Sequence, residues 1–409
     1  MTSKTASGTA AQTTEKRTAG RADFILIILV AVLAMTGVVM VFSASYYYSI
    51  NRTGSPYDYL KKQAFFAGSG FVMMMLFSRI DYHVAKKWAK PLAVLEIILL
   101  LAIFTPLGEE RNGAKRWLNF GITIMPGELA KPAVILLLSA YFSENMKRAK
   151  KFKTLLPAAL YVLLCCVLIV AQPNLSTAIT VALIGIGIAF AAGMHPGYIA
   201  GIAGIGVLGF IYLAKYSDEY MHDRIVSFMD PFAQAQGNGF QVVQSLLALG
   251  TGGVTGLGLG KSIQKNLYLP EPQNDFILSI IGEELGFIGI ALILILFALL
   301  IFRLCYISFR AEDNFGMLLT AGIAMMVGFQ VVLNVAVVTS SMPPTGIALP
   351  FISYGGNSTW IFMILTGIAL NVSRHPRDVY RREELKEKIE KYERENGIER
   401  RRSKARTDA

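Results

Sequence analysis

Charged side chains are scarce in this sequence: Asp, Glu, Lys and Arg make up 16% of its 409 residues. Soluble globular domains are about one quarter charged, so the composition excludes an ordinary soluble domain. Long stretches, such as Phe24–Phe42 and Ile288–Phe302, carry no charge at all. Because runs of about 20 apolar residues match the hydrocarbon thickness of a bilayer, we expect an integral membrane protein.

Cysteine is equally rare, with three residues in the whole chain. Cys165 and Cys166 are adjacent inside an apolar run, and Cys305 lies just past another. The sequence contains no C-x-x-C pair and no Cys/His cluster, so it predicts neither a disulfide framework nor a zinc site. We expect buried, unreactive thiols.

A phosphate-binding loop is also absent, although the glycine-rich stretch Leu249–Ser262 invites that interpretation. A P-loop ending at Gly260 needs a glycine five residues earlier, where the sequence has Thr255. The stretch contains no G-x-G-x-x-G motif, and its flanks show no strand pattern. The glycines therefore do not predict a nucleotide site.

What the sequence has in abundance is apolar runs separated by polar segments. These runs predict an all-α integral membrane protein with about ten transmembrane helices. We place the spans at roughly 23–45, 62–78, 91–107, 128–144, 154–171, 176–193, 198–215, 275–302, 316–338 and 350–372. The longest loop, at about 216–274, lies between spans 7 and 8.

The two ends of the chain have a different composition. Residues 1–22 are rich in Thr, Ser and Ala and predict a disordered tail. The apolar segment after them is longer than the core of a signal peptide, so we expect it to stay as the first span. Residues 376–409 are basic, and their i,i+4 pairs of Glu with Lys or Arg predict a helical tail.

Lys and Arg are unevenly distributed among the polar segments. They concentrate in both tails and in the segments at about 79–90, 145–153 and 303–310. Since cytoplasmic loops carry the excess of Lys and Arg, we expect both termini in the cytoplasm and the long loop outside. The net charge of +11 then reflects flanks that face anionic headgroups, and nucleic-acid binding is not needed to explain it.

Ionisable residues at membrane depth are costly, and most of those here lie at the predicted outer ends of spans. Asp275 precedes a long apolar run, so its carboxylate could cap a helix or could serve a functional site. Glu283 and Glu284 lie about two turns deeper, where capping cannot explain them. We therefore expect both glutamates to face protein or a wet cavity.

A second group of charges lies in the predicted second outer loop and at the start of the fourth span. Lys115, Arg116 and Lys131 could form a cationic patch for an anionic group at the membrane surface. Glu128 and Lys131 are three residues apart, so they could instead form an intrahelical ion pair.

The last outer loop, Ser341–Ser358, is too rich in proline and glycine to continue a helix. Irregular backbone at membrane depth is tolerated only against protein or a cavity. We expect this loop to line an outward-facing pocket together with Asp275.

Several long motifs in these segments resemble the SEDS family of shape, elongation, division and sporulation proteins (FtsW, RodA and SpoVE). The matching stretches are Asn112–Trp117 with Glu128 and Lys131, Gln172–Thr177, Gly239–Ser245, Gly256–Ser262, Leu269–Phe276, Gly282–Gly286 and Pro344–Gly356. The resemblance covers about residues 25–375. Val41–Ser45 and Asn371–His375 look more like the division or sporulation branch than the elongation branch.

The resemblance implies a ten-span domain at residues 23–375 that acts as a peptidoglycan glycosyltransferase. Such an enzyme polymerises lipid II on the outer face of the bacterial cytoplasmic membrane, in cell division or sporulation. The resemblance also implies a class B penicillin-binding protein as transpeptidase partner, among other membrane proteins of the division complex. The motif match puts the essential aspartate at Asp275. The candidate substrate-binding residues are Lys115, Arg116, Glu128, Lys131, Lys265 and Glu271.

Three motifs depart from the family pattern. Gln172-Pro-Asn174 replaces the usual Gln-Pro-Asp, and Met125-Pro-Gly-Glu128 replaces Gln-Pro-Ser-Glu. Gln273-Asn-Asp275 replaces His-Thr-Asp, so no histidine stands beside the aspartate. Proton transfer must then rest on the carboxylate alone.

In the transferase interpretation, Asp275 is the general base, while Arg116 and Lys131 assist a pyrophosphate leaving group. No cofactor is certain; a divalent cation, Mg²⁺ or Mn²⁺, at Asp275 stays open, although the sequence shows no multi-carboxylate cage. The alternatives are a lipid II flippase and a non-enzymatic scaffold of the division complex. A flippase should hold its essential charges near the bilayer midplane, whereas here they cluster at the outer end.

Overall fold

The computed structural model describes residues 20, 22–111, 114–119, 123–202, 239–344 and 346–377, with a few isolated positions between 204 and 233. Most of these residues are helical. The helices are α1 Phe24–Thr53, α2 Asp58–Phe77, α3 His83–Ala102, α4 Pro126–Asn145, α5 Phe152–Val170, α6 Leu175–Ala191, α7 Phe240–Gly252, α8 Ile277–Arg310, α9 Asn314–Val338 and α10 Gly356–Ser373.

Every predicted span except the seventh overlaps one of these helices. The predicted seventh span begins in helical residues 196–202, and nearly all of the rest of it lies outside the described residues. The two predicted tails also lie almost entirely outside the described residues. Within the described chain, α1, α5, α8 and α9 are long and apolar enough to cross a membrane by length and composition. The prediction of a helical membrane protein is therefore confirmed, although the count of ten spans stays a prediction.

Two features of the described chain were not predicted. A three-stranded antiparallel sheet in the order β1-β2-β3 joins α3 to α4, formed by β1 Gly108–Arg111, β2 Ala114–Asn119 and β3 Thr123–Ile124. The all-α prediction is therefore wrong in this segment, because strands this short leave no clear alternation in a polar loop. The second feature is α7, which lies in the segment predicted as one long loop.

The helices differ in how much of their surface the protein itself covers. More than half of the residues of α4, α6, α9 and α10 are buried, so these helices form the core of the bundle. The more peripheral α2, α3 and α5 bury few residues and expose large apolar side chains such as Val72, Val94 and Leu160. Exposed apolar faces of this kind suit contact with lipid. All three cysteines are unpaired, and Cys165 is buried.

Both ends of the described bundle meet at one side. The Asp23 N–H, at the start of α1, donates to Ser373 Oγ in the last turn of α10 at 3.1 Å. Arg303, near the end of α8, donates from Nε to Asp23 Oδ2 at 2.7 Å. We call this side the termini end. Asp275 precedes the opposite end of α8, and the helix from Ile277 to Arg303 at the termini end is roughly 40 Å long at 1.5 Å per residue.

The glycine-rich segment packs against a break in α8. The break is at Gly286, whose φ is +68°. Two N–H groups of the segment, those of Leu257 and Gly258, donate to the carbonyl oxygens of Glu283 and Glu284 at 2.9 Å. The two residues after the break donate back to the segment at 2.9 and 3.1 Å. The glycines therefore allow close backbone contact where helical hydrogen bonds are interrupted.

We expect Gly256→Ala to lower the apparent melting temperature of the protein in detergent by several degrees. Gly256 has φ +78°, and an added Cβ would lie 2.2 Å from the Glu284 carbonyl oxygen. Strained backbone and overpacking each cost about 1–3 kcal/mol. The control is Gly250→Ala, at an exposed helical glycine with nothing within 4 Å of the added atom. Equal melting curves for wild type and Gly256→Ala would contradict this account of the break.

Candidate active site

Asp275 does not cap α8. The helix starts at Ile277 and its N-cap is Phe276, with no side-chain hydrogen bond to the first turn. The capping explanation that the sequence allowed for Asp275 is therefore wrong. Asp275 lies in the segment that leads into the helix, and the residue as a whole is half-buried.

The main chain around Asp275 is held by the loop between α9 and α10. Asn334, fully buried in α9, donates from Nδ2 to the carbonyl oxygens of Asp275 at 2.8 Å and Ile347 at 2.7 Å. The Tyr354 N–H donates to the Gln273 carbonyl oxygen at 2.9 Å. These bonds confirm that the Pro- and Gly-rich loop lines the same site as Asp275.

The same loop approaches the Asp275 carboxylate with bare backbone. Gly346 has φ +68°, and a Cβ added there would lie 3.2 Å from Asp275 Oδ2. Glycine therefore leaves room beside the carboxylate and tolerates the left-handed backbone.

Other carboxylates and one guanidinium surround Asp275 and set its protonation. Burial raises the pKa of Asp275 to about 6, and the charges of Glu271 and Glu128 act in the same direction, while Arg116 opposes them. Glu271 itself accepts hydrogen bonds from Asn274 Nδ2 at 2.8 Å and Tyr48 OH at 3.4 Å. A carboxylate with this pKa is charged at neutral pH and is close to the value that favours general-base catalysis.

The first turn of α4 brings an ion pair to the site. Glu128 lies in that turn, where the helix dipole favours a carboxylate. Lys131, almost fully buried, donates from Nζ to Glu128 Oε1 at 2.7 Å. The intrahelical pair that the spacing allowed is therefore present. It also belongs to the site, because the Glu128 charge raises the pKa of Asp275.

Arg116 reaches the site from the sheet. Its Nε donates to the Gln172 carbonyl oxygen at 3.2 Å, and its Nη2 donates to that of Pro173. The guanidinium is thus oriented by the turn between α5 and α6. Lys115 precedes Arg116 on β2, and successive strand residues point to opposite faces. Its Nζ donates instead to the Thr105 carbonyl oxygen at 2.9 Å, so the structure does not bring it to Asp275.

Lys265 lies in a different, buried cluster with the two deeper glutamates. Its Nζ donates to Glu284 Oε1 at 2.8 Å and to Ser43 Oγ at 3.0 Å. Glu283 accepts from Ser262 Oγ and from the Ile263 N–H at 2.9 Å. Both glutamates are fully buried, which confirms that they face protein. The cluster ties α1 and the glycine-rich loop to α8.

Two of the departures from the family pattern are neighbours in space. Asn174 is the N-cap of α6, accepting from the Thr177 N–H at 3.4 Å. A Cβ added to Gly127 would lie 3.5 Å from Asn174 Nδ2. The glycine thus faces the amide at positions where the family pattern has a serine and an aspartate.

Sequence reasoning missed Asn334 and Tyr48. Asn334 carried a usable signal, since an amide inside the apolar run of α9 needs a hydrogen-bond partner at membrane depth. Tyr48 carried none, because tyrosines are common near membrane interfaces. Among the described residues, no group of three or more His, Cys, Asp or Glu side chains could hold a metal ion.

Fold and site together define a multi-pass helical membrane protein with a charged site near one end of its bundle. The chain belongs to the FtsW/RodA/SpoVE family of cell cycle proteins, whose sequence model matches residues 23–378.

Two curated relatives show how far this similarity extends. The protein named "Probable peptidoglycan glycosyltransferase FtsW" of Geobacter sp. (strain M18) is 40% identical over 87% of this chain and 97% of its own length. Stage V sporulation protein E of Bacillus subtilis (strain 168) is 39% identical over 87% of this chain and 98% of its own length. The resemblance to the division and sporulation branch is thus confirmed.

The fold is also similar to that of a solved structure. That structure describes how a peptidoglycan synthase complex coordinates polymerization and crosslinking, and the matched chain has a TM-score of 0.73 at 29% identity. The match covers 86% of this chain and 98% of that one.

Proposed function

We propose that this protein is a peptidoglycan glycosyltransferase that polymerises lipid II into glycan strands in cell division or sporulation. The observation that carries the proposal is the Asp275 carboxyl, which caps no helix and has a pKa raised to about 6. Relatives of this chain that are named as peptidoglycan glycosyltransferases align with it over nearly their whole length. The site thus offers a base in a chain of the matching class.

The proposed reaction is a direct displacement at a sugar carbon. Asp275 takes the proton of the acceptor's 4-hydroxyl group, while the oxygen of that hydroxyl group bonds to C1 of the donor sugar. The bond from C1 to the undecaprenyl pyrophosphate breaks, and its electron pair leaves with the pyrophosphate. This displacement inverts C1 and gives a β-linkage. A positioned base supplies about 10²–10⁴-fold in rate.

Arg116 and Lys131 would stabilise the departing pyrophosphate. Fixed cations aimed at developing charge lower the barrier by several kcal/mol, and both side chains are held in place by protein partners. Glu128 would orient Lys131, and Glu271 would contact the substrate beside Asp275. Lys115 and Lys265 stay predictions as substrate-binding residues, and this mechanism uses neither.

A divalent cation, Mg²⁺ or Mn²⁺, stays a proposal separate from this mechanism. The described carboxylates do not form a metal cage. Mg²⁺ is often held by one or two carboxylates together with substrate phosphates. The pyrophosphate oxygens would then be the main ligands of the ion.

We further propose ten spans in the bacterial cytoplasmic membrane, with both termini in the cytoplasm and the Asp275 end outside. Supporting this orientation, the termini end carries Lys86, Lys147, Arg148 and Arg303, as expected for cytoplasmic flanks. Lipid II would then be used on the outer face.

The proposed protein partner is a class B penicillin-binding protein that crosslinks the new strands, within a larger division complex. The proposal is supported by the similarity to a chain from a peptidoglycan synthase complex. Nucleic acid is not among the proposed partners.

Two other functions make different demands on the site. A lipid II flippase should hold its essential charges at the midplane, but Asp275 precedes α8 at the end of the bundle. A non-enzymatic scaffold needs no carboxylate with a raised pKa. The placement of Asp275 therefore favours the transferase.

The function is tested with the purified protein in vesicles that contain labelled lipid II, with and without its transpeptidase partner. Two readouts are taken together: glycan length on a gel, and transfer of lipid II between leaflets. We expect long strands. Transfer without strands would replace the proposal with a flippase. If the protein gives neither strands nor transfer, a non-enzymatic scaffold is favoured.

A further inference from the structure

The Asp275 carboxylate is not held in place by a hydrogen bond of its own. Its protonation is set by burial and by the charges of Glu271, Glu128 and Arg116. Within the part of the chain that the structure describes, no side chain or N–H group donates to either of its oxygens. The direction in which the carboxylate points therefore depends on how the main chain of Asp275 is held.

The side chain of Asn334 holds that main chain. An asparagine amide has two N–H donors, and here both are used. One donates to the Asp275 carbonyl oxygen at 2.8 Å, and the other donates to that of Ile347 at 2.7 Å. The opposite orientation of the amide would place Oδ1 against two carbonyl oxygens, so the partners fix which atom is the nitrogen. Asn334 is fully buried in α9, so water does not replace a lost bond.

The two carbonyl groups belong to the segments on either side of the carboxylate. Ile347 directly follows Gly346, and a Cβ added to Gly346 would lie 3.2 Å from Asp275 Oδ2. One amide thus anchors both the aspartate and the backbone that faces its side chain. Asn334 therefore sets the spacing between the carboxylate and this wall of the site.

A second hydrogen bond joins the same two segments. The Tyr354 N–H donates to the Gln273 carbonyl oxygen at 2.9 Å, two residues before Asp275. This bond does not involve Asn334, so it still holds the loop when Asn334 is changed. Loss of the Asn334 bonds should therefore shift Asp275 without detaching the loop.

We propose that Asn334 is a positioning residue that sets the place of the Asp275 carboxylate without touching the substrate. The proposal rests on the proposed function, in which Asp275 is the base. A base acts only within hydrogen-bond reach of the proton that it takes. A misplacement of about 1 Å costs about 100-fold in rate. The buried amide thus contributes to the rate through the main chain of the aspartate.

The test compares Asn334→Leu with Asn371→Leu in the full-length protein, in vesicles that contain labelled lipid II. Asn371 is the matched control, because its buried amide in α10 also makes two hydrogen bonds to main chain. Its Nδ2 donates to the Ser78 carbonyl oxygen at 3.0 Å, and its Oδ1 accepts from the Tyr82 N–H at 2.9 Å. We expect both substitutions to lower the melting temperature. Only Asn334→Leu should lower kcat per folded molecule, by about 100-fold, with the KM for lipid II nearly unchanged.

Hydrogen–deuterium exchange on the same samples locates the change without relying on activity. In Asn334→Leu, exchange should become faster in residues 270–276 and 346–354. In Asn371→Leu, these two segments should exchange as in wild type. If Asn334→Leu does not fold, Asn334→Gln takes its place. Glutamine keeps both donors on a side chain that is one methylene longer, so we expect it also to lower kcat at nearly unchanged KM.

Three outcomes would overturn the proposal. Equal kcat per folded molecule in the Asn334 and Asn371 variants would make Asn334 a purely structural residue. A higher KM at unchanged kcat would make it a substrate contact instead. Failure of the proposed function looks different: the wild type itself then makes no strands, and the positioning role falls with it.

Discussion

Asp275→Asn is expected to lower the rate of glycan polymerisation by at least about 100-fold, since general-base catalysis contributes that much or more. The amide keeps the shape of the side chain but cannot accept the proton of the acceptor hydroxyl. The variant should remain folded. Because burial raises the pKa of Asp275, its charged form opposes folding above the pKa of the unfolded chain. The variant should therefore melt at the same or a higher temperature than wild type at neutral pH.

The matched control for this variant is Asp58→Asn. Asp58 lies in the first turn of α2, which follows the end of α1 that is opposite the termini end. The substitution therefore removes one negative charge on the same side of the bundle as Asp275. We expect it to keep nearly full activity. Polymerisation by Asp275→Asn at the rate of Asp58→Asn would rule out the base.

Lys265→Met is expected to destabilise the protein by about 3–5 kcal/mol, the usual effect of removing one partner of a buried ion pair. Lys265 and Glu284 are almost completely buried, so the substitution leaves the Glu284 carboxylate without its cation. A substrate-binding lysine would behave differently, since its loss would lower activity at unchanged stability. Melting curves and polymerisation assays on the same preparation separate these roles.

The double variant Lys265→Met with Glu284→Gln sharpens this test. Neutralising both partners removes the uncompensated charge, and the new amide keeps a carbonyl oxygen in place of the carboxylate oxygens to which the Ser43 hydroxyl donates. We therefore expect the double variant to be more stable than Lys265→Met and to regain activity with stability. A stable single variant that lacks activity would instead support a substrate role for Lys265.

The helices and the membrane class could be predicted because hydropathy is a local property of the sequence. The bounds of the helices could not be predicted, because hydropathy marks only the part of a helix that lies in lipid. Helix α3 starts at His83, eight residues before the predicted span, because its first turns carry lysines that only a structure shows to be helical. The sheet before α4 was missed for a related reason: its strands are short and pair with each other, not with a buried face.

The site was predicted in part. Motif resemblance selected Asp275, Arg116, Glu128 and Lys131 as candidates, and the structure brings their charges close together. The partners of Lys115 and Lys265 could not be foreseen, because the Thr105 carbonyl group and the Glu284 carboxylate meet them only through the fold. Loop charges look alike in sequence, and which of them share a site depends on strand faces and loop paths.

The central claim is that the Asp275 carboxylate takes the proton from the acceptor, and the pH dependence of polymerisation tests it most directly. Rates are measured on wild type from pH 5 to pH 8 at labelled lipid II concentrations well below saturation, where the profile reports the pKa values of the free enzyme. Because only the deprotonated carboxylate can act as base, and its pKa is raised to about 6, the rate should rise about tenfold per pH unit below 6 and level off above it. A rate that is flat through pH 6, or the same rise in the residual activity of Asp275→Asn, would contradict the account.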